Sequence, residues 1–284
     1  MATAPERRFS PEVFRLLRDL IYDYCGIHFS DDNAYIIHRR LQPRLDALAL
    51  SDFADYYRYL RSSDGQSRRQ ELEEIVDRVT NNETYFFRES YQLQAFRDEI
   101  LPELYKARPR GRRLSVWSAG CASGEEAYTI AILIHESGLF ADWEVRVFGN
   151  DISRRCLSVA RKGQYGRSSF RATDERIMRR YFRESEGKQQ VREEIRALCS
   201  FGQINLIDEA MMRLVGDIDV VFCRNVLIYF DITSRRRVIE TLHKKLVPGG
   251  YLLLGHSESL INLTTAFDLV HLKNDMVYRK PVHG

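Results

Sequence analysis

The run Ser118-Ala119-Gly120-Cys121-Ala122-Ser123-Gly124-Glu125-Glu126 sets two glycines and two adjacent carboxylates directly after the apolar stretch Leu114–Trp117. In an open parallel sheet ligands bind beyond the carboxyl ends of the strands, so a glycine turn leading from strand to helix is the first place to look for chemistry. Gly120 and Gly124 would let a ligand approach the backbone, although a glycine turn that merely reverses the chain reads the same way. Two nucleotide classes are set aside. The run has neither the Gly-x-Gly-x-x-Gly spacing of a pyrophosphate site nor the Gly-Lys-Ser/Thr end of a phosphate loop. Where phosphate would want positive charge the helix opens with Glu125 and Glu126, which suit the helix dipole and would welcome an ammonium or sulfonium group.

Other polar residues stand at the ends of apolar stretches. Val145–Phe148 is followed by Gly149-Asn150-Asp151, and an acid there can accept hydrogen bonds from a ribose diol or cap the helix that begins near Ser153. Arg224-Asn225 directly follows Val220–Cys223, again where sheet ligands bind. No His, Asp and Glu cluster at metal-ligand spacing and no catalytic dyad stands out, so no metal is expected. His256 is the nearest general-base candidate, and it reads better as solvent-facing or structural.

These residues need a scaffold, and the pattern of elements supplies one. Apolar residues recur at helical spacing from Ser10 to about Leu60, with Ser10-Pro11 as N-cap and first-turn pair, then from Ser67 to Arg78 and from Ser90 to Lys106. Pro43 should kink or start a helix in this region. Beyond the Pro109-Arg110-Gly111 break, short apolar strands alternate with helices, which calls for a parallel sheet covered on both faces. The expected organisation is an N-terminal all-helical domain over 1–90, a linker helix over 91–110, and an α/β domain over 111–284 with a small charged insertion at about 163–201. Net charge is only +3, too small for nucleic-acid binding unless it is gathered on one face. The five cysteines form no Cys-x-x-Cys pair, which argues for a reducing compartment. There is no signal-peptide core and no run approaching the roughly 20 apolar residues that span a bilayer, so a cytoplasmic protein without membrane insertion is expected.

The Val247-Pro248-Gly249-Gly250 turn before Tyr251–Gly255, and the pair Phe267–Val270 with Asp275–Tyr278, resemble the closing part of Rossmann-like methyltransferases. Four longer runs resemble one family within that class. They are Thr80–Glu89 (TNNETYFFRE), Trp117-Ser118-Ala119 through Gly124-Glu125-Glu126, Phe222–Phe230 (FCRNVLIYF) and Gly255-His256-Ser257-Glu258. The chain is similar to the chemotaxis receptor (protein-glutamate) O-methyltransferases over nearly its whole length. The resemblance implies a Rossmann-like S-adenosylmethionine sheet with an N-terminal helical domain and an inserted subdomain, and S-adenosylhomocysteine as product. It also implies that Asn82, Thr84 and Arg88 reach onto the cofactor, that Glu125 and Asp151 meet it from the sheet, and that Asn205, Leu206, Arg224 and Asn225 complete the pocket. Arg88 and Tyr229 are the catalytic candidates, Tyr229 by orienting the acceptor carboxylate.

Among the aromatics of the first run, Tyr85, Phe86 and Phe87 read as core. The basic run His38–Arg44 corresponds to a helix that in the family faces the acidic methylation region of chemoreceptors, making Arg39, Arg40 and Arg44 candidate substrate contacts. Glu184–Ala197 looks shorter than in members that grip a receptor C-terminal peptide, so a monomeric enzyme without a peptide tether is expected. Competing readings are a methyltransferase for another acidic or small-molecule substrate, and a non-catalytic S-adenosylmethionine sensor.

Overall fold

The computed structural model describes residues 9–107 and 113–282. Its contacts divide into two units, Met1–Asn81 with Tyr229–Ser234, and Asn82–Ile228 with Arg235–Gly284.

The first unit is built on helices α1 (Pro11–Cys25), α2 (Ala34–Ala47), α3 (Phe53–Ser62) and α4 (Gly65–Val79). Ser10 starts α1 by accepting the Val13 N–H at 3.2 Å, Pro11 occupies the first turn, and Gly26, at φ 73°, ends it. The helical spacing of Phe14, Leu17, Leu20 and Ile21 buries one face of α1, which packs on the other three helices. Pro43 does not start a helix: α2 runs through it without a break. The proline forfeits one backbone hydrogen bond, while Ile37, Leu41 and Leu45, all buried, anchor the helix on both sides of it. The return segment Tyr229–Ser234 joins this unit by a bridge between Ile27 and Phe230, a bond from the His28 N–H to the Tyr229 carbonyl (2.9 Å), and one from Tyr22 Oη to Asp231 (3.0 Å).

The sequence sets the division near residue 90 and makes 91–110 a linker, whereas the contacts divide after Asn81. The segment α5 (Ser90–Ala95), a wide π turn (Phe96–Ile100) and α6 (Leu101–Ala107) belongs to the second unit, because Leu93, Phe96, Ile100, Leu101 and Leu104 are part of that unit's core. The break at Pro109-Arg110-Gly111 lies outside the described residues.

In the second unit β1 (Arg113–Ala119), α7 (Glu125–Ser137), β2 (Glu144–Asp151) and α8 (Arg154–Lys162) lead into an insertion. The insertion consists of β3 (Gln164–Tyr165), α9 (Glu175–Tyr181), β4 (Phe182–Ser185), β5 (Lys188–Val191) and α10 (Glu193–Arg196), and its strands pair antiparallel in the order β3-β5-β4. The chain then returns through β6 (Cys199–Gln203), α11 (Glu209–Met212), β7 (Ile218–Cys223), α12 (Ile232–Lys245), β8 (Leu246–Leu254), β9 (Asp268–His271) and β10 (Met276–Arg279). The main sheet has the order β6-β2-β1-β7-β8-β10-β9, parallel from β6 to β8, with β10 antiparallel to both its neighbours.

Strand order reverses at β1, between β2 and β7, which places the ligand crevice at the ends of these three strands. The expected insertion, ending at about 201, takes in the first three residues of β6. As an edge strand β6 is only half-buried, so it lacks the continuous apolar run of β7.

Candidate active site

The turn between β1 and α7 is tied down by the residues that end β2. The Gly120 and Cys121 N–H groups both donate to the Asn150 carbonyl, at 2.9 and 2.7 Å. The buried Asn150 amide accepts from Trp117 Nε1 (2.7 Å) and donates to the Ile204 carbonyl (3.0 Å), bracing the ends of β1, β2 and β6. Asp151 accepts the Ala122 N–H at 2.9 Å on one oxygen and the Ser153 N–H at 2.8 Å on the other. It therefore shapes the turn; the cap of α8 is Ser153, which accepts from Cys156 N at 3.1 Å.

Gly120 (φ 82°) and Gly124 (φ 94°) are required by protein neighbours. A Cβ would lie 2.5 Å from Val226 Cγ2 at the first and 2.8 Å from Ala160 Cβ at the second. What approaches their Cα atoms is the loop after β7 and the last turns of α8.

Glu125 opens α7 with its carboxylate nearly sealed from water. Ser123 Oγ donates to one oxygen (2.7 Å) and Ser169 Oγ to the other (3.0 Å). Burial pushes its pKa up, and the hydroxyls only partly offset this. Glu126 is half-buried and held by Ser118 Oγ (2.7 Å) and Arg224 Nη1 (3.1 Å). The Arg224 guanidinium is only 2 % exposed and also bonds Glu89 (3.1 Å) and the Arg88 carbonyl (2.6 Å). It is thus an internal clamp between two acids, where the resemblance made it a pocket contact.

Residues Asn82–Glu89 run beside this clamp. Phe86 is fully buried, Phe87 donates its N–H to Thr129 Oγ1 (3.2 Å), and Phe87 and Glu89 hold left-handed backbones at φ 59° and 57°. Asn82 and Thr84 are half-buried, and Arg88 donates to the Glu83 carbonyl (3.2 Å) and lies 3.7 Å from Glu89. Asn225 is left-handed too, at φ 59°, and its amide points at Glu89 (3.4 Å). Its backbone N–H goes to Glu258, a residue the sequence showed within a motif but without a role. One Glu258 oxygen accepts Asn225 and Gly255 N–H (both 2.7 Å), and the other accepts Val226 (2.9 Å) and Ile228 (3.3 Å). After β6, Asn205 turns the chain by accepting the Ile207 N–H (3.3 Å), and Leu206 is buried. Left-handed non-glycine residues at Phe87, Glu89, Ala122 and Asn225 mark this region as strained, as binding sites often are.

In the helical unit the three arginines fare differently. Arg44 forms a bidentate pair with buried Glu71 (2.8 and 2.5 Å), and Tyr56 Oη also bonds Glu71 (2.5 Å). Arg40 caps α4 through the Val79 (2.7 Å) and Thr80 (3.0 Å) carbonyls. Both are engaged within the helical unit, whereas Arg39 is exposed. Tyr229, half-buried, donates to the Asn81 carbonyl at 3.4 Å. His256 faces solvent. The five cysteines are free thiols.

Two family models account for most of the chain. The all-alpha domain of CheR methyltransferases matches residues 12–80, and their SAM binding domain matches 82–276. The chain belongs to the CheR methyltransferase family. It is therefore an S-adenosylmethionine-dependent methyltransferase of the chemotaxis class. Its relatives include chemotaxis protein methyltransferase 2 of Vibrio cholerae, 34% identical over 95% of this chain and 93% of that one. Chemotaxis protein methyltransferase 1 of Pseudomonas aeruginosa is 33% identical over 94% and 97%, and that of Borreliella burgdorferi 33% over 88% of each. Among the described residues, no helix is long and apolar enough to cross a membrane.

Proposed function

We propose that this chain esterifies glutamate side chains on the cytoplasmic helical region of chemoreceptors, the modification that resets their signalling after a stimulus. The observation that carries the cofactor half of the reading is Glu125, a buried acid at the strand-to-helix turn with two hydroxyls and an elevated pKa. S-adenosylmethionine supplies an electrophilic methyl group on a sulfonium sulfur.

In this reading Glu125 binds the cofactor's ammonium and Arg88 its carboxylate. Asp151 takes the ribose, while Asn82, Thr84, Asn205, Leu206 and Asn225 shape the remaining walls. Arg224 acts from behind, holding Glu89 and Glu126 in place. Tyr229 hydrogen-bonds one oxygen of the acceptor glutamate so that the other faces the methyl group. Because the acceptor is already ionised, the enzyme contributes alignment, which is worth several kcal/mol when the reacting atoms are held in line.

Arg39 is the residue of the basic run that meets the acidic receptor. The helical unit carries 12 Arg and Lys against 15 Asp and Glu, a net charge of −3, so its attraction for an acidic partner rests on local cations rather than on its overall field. With β4 and β5 only four residues each, we take the enzyme to act without a receptor peptide tether. The deciding experiment incubates the protein with methyl-labelled S-adenosylmethionine and chemoreceptor cytoplasmic fragments, then adds mild base. Label released as methanol supports a carboxyl ester; label that survives base rules it out.

A further inference from the structure

The inserted subdomain touches the cofactor turn through one short stretch. The 3-10 turn Arg167–Phe170, just after β3, meets two other segments at once. The Ser169 carbonyl accepts the Phe86 N–H at 2.9 Å, and Ser169 Oγ donates to Glu125 at 3.0 Å. The Phe170 ring stacks on Phe86, 5.0 Å between centroids and 8° from parallel. Next along the chain, Arg171 pairs with Glu83 at 2.7 Å and lies 3.8 Å over the Tyr85 ring. Tyr165 Oη adds a bond to the Ser123 carbonyl at 2.7 Å.

These contacts do more than attach the subdomain to the sheet. Attachment is already provided by Tyr165, Ile177, Tyr181, Phe182 and Val191, all buried in the common core. What the polar contacts add is orientation. With Ser123 on one oxygen and Ser169 on the other, the plane of the Glu125 carboxylate is fixed. The same turn fixes Glu83, Tyr85 and Phe86, next to the left-handed Phe87 and Glu89. Strained backbone of that kind persists only where its surroundings over-determine it.

We propose that Ser169 and Arg171 are positioning residues for methyl transfer, and that through them the inserted subdomain seats Asn82–Glu89 and Glu125 in one register to meet S-adenosylmethionine together. This rests on the assignment of Asn82, Thr84, Arg88 and Glu125 as cofactor contacts. The test titrates the full-length protein with S-adenosylhomocysteine by calorimetry and measures methylation of receptor fragments at varied S-adenosylmethionine.

Ser169→Ala is expected to weaken binding about tenfold, the scale of one charge-assisted hydrogen bond, and to raise the cofactor KM in step while kcat at saturation stays within about twofold. Ser169→Thr, which keeps the hydroxyl, restores binding. Arg171→Ala weakens it about threefold, the scale of a partly exposed ion pair. Ser168→Ala, an exposed neighbour in the same turn, leaves binding unchanged. Wild-type affinity in Ser169→Ala, together with weakened affinity in Glu125→Gln, overturns the positioning role and leaves the cofactor site standing. Unchanged affinity in Glu125→Gln overturns the site assignment itself. Equal losses in Ser169→Ala and Ser169→Thr also overturn the proposal, because the hydroxyl would then not be the cause.

Discussion

Replacing Glu258 by glutamine should loosen the loop after β7 and slow methyl transfer. The carboxylate accepts four backbone N–H groups, two on each oxygen. Glutamine keeps one accepting oxygen and turns the other position into a donor. Its oxygen will side with the short pair, Asn225 and Gly255, leaving Val226 and Ile228 facing an NH2 group. The Ile228 bond is long and exposed, so water can replace it; Val226 is part-buried and loses its partner.

One orphaned buried donor costs about 1–3 kcal/mol, and two bonds that change from charged to neutral acceptors add roughly 1 kcal/mol, for a total of about 3 kcal/mol. At roughly 2–4 °C per kcal/mol the melting point should fall by about 6–12 °C. At a temperature where the variant is fully folded, kcat and cofactor affinity should both fall, because the loosened loop carries Asn225, a wall of the proposed cofactor site, and runs on to Tyr229. Circular dichroism melts and single-substrate methylation kinetics read both quantities. A variant that melts within about 1 °C of the parent (well under 1 kcal/mol) and turns over normally would refute the assignment of Glu258 as the clamp of this loop.

Arg44→Ala should destabilise the helical unit by about 3–5 kcal/mol, since it strands the buried Glu71 carboxylate; urea denaturation showing a loss under about 1 kcal/mol would contradict this. S-adenosylhomocysteine affinity should fall as pH is lowered through the elevated pKa of Glu125, because the ionised form is the partner of the ligand's ammonium. That affinity should be level above this pKa, and Glu125→Gln should abolish the dependence in pH-resolved calorimetry. Tyr229→Phe should slow turnover on receptor fragments at least tenfold (about 1.4 kcal/mol) with little change in cofactor affinity, and an unchanged kcat would remove its role.

The sheet was legible because short apolar stretches such as Val220–Cys223 and Tyr251–Leu254 alternate with helical patterns, and the first helix because Ser10 and Pro11 open it. The glycine turn was legible as a strand-to-helix connection, but what requires its glycines was not: Val226 and Ala160, far away in the chain, are what leave no room for a Cβ. The edge strand β6 was hidden because half-burial erases the apolar pattern. Arg40 and Arg44 looked like a surface patch because nothing local reveals that their partners, Val79 and Glu71, are supplied by α4. Arg224, Glu89 and Glu126 likewise form a clamp only once β7, the segment before α5 and the start of α7 come together. Ser169 gave no signal at all, since a serine in a weakly periodic charged stretch has no distinctive neighbours.

The helical unit is not contiguous, and this bears on how the chain is made. Its last partners, Tyr229, Phe230 and Asp231, leave the ribosome about 150 residues after Asn81. At roughly 5–20 residues per second, helices α1 to α4 wait about 8–30 s, without the Ile27–Phe230 bridge and the Tyr22–Asp231 bond, while the sheet is being synthesised. The part of the protein translated first is therefore completed only after β1, β2, β6 and β7 have emerged. A gene fragment cut at Asn81 would encode a bundle permanently arrested at that stage.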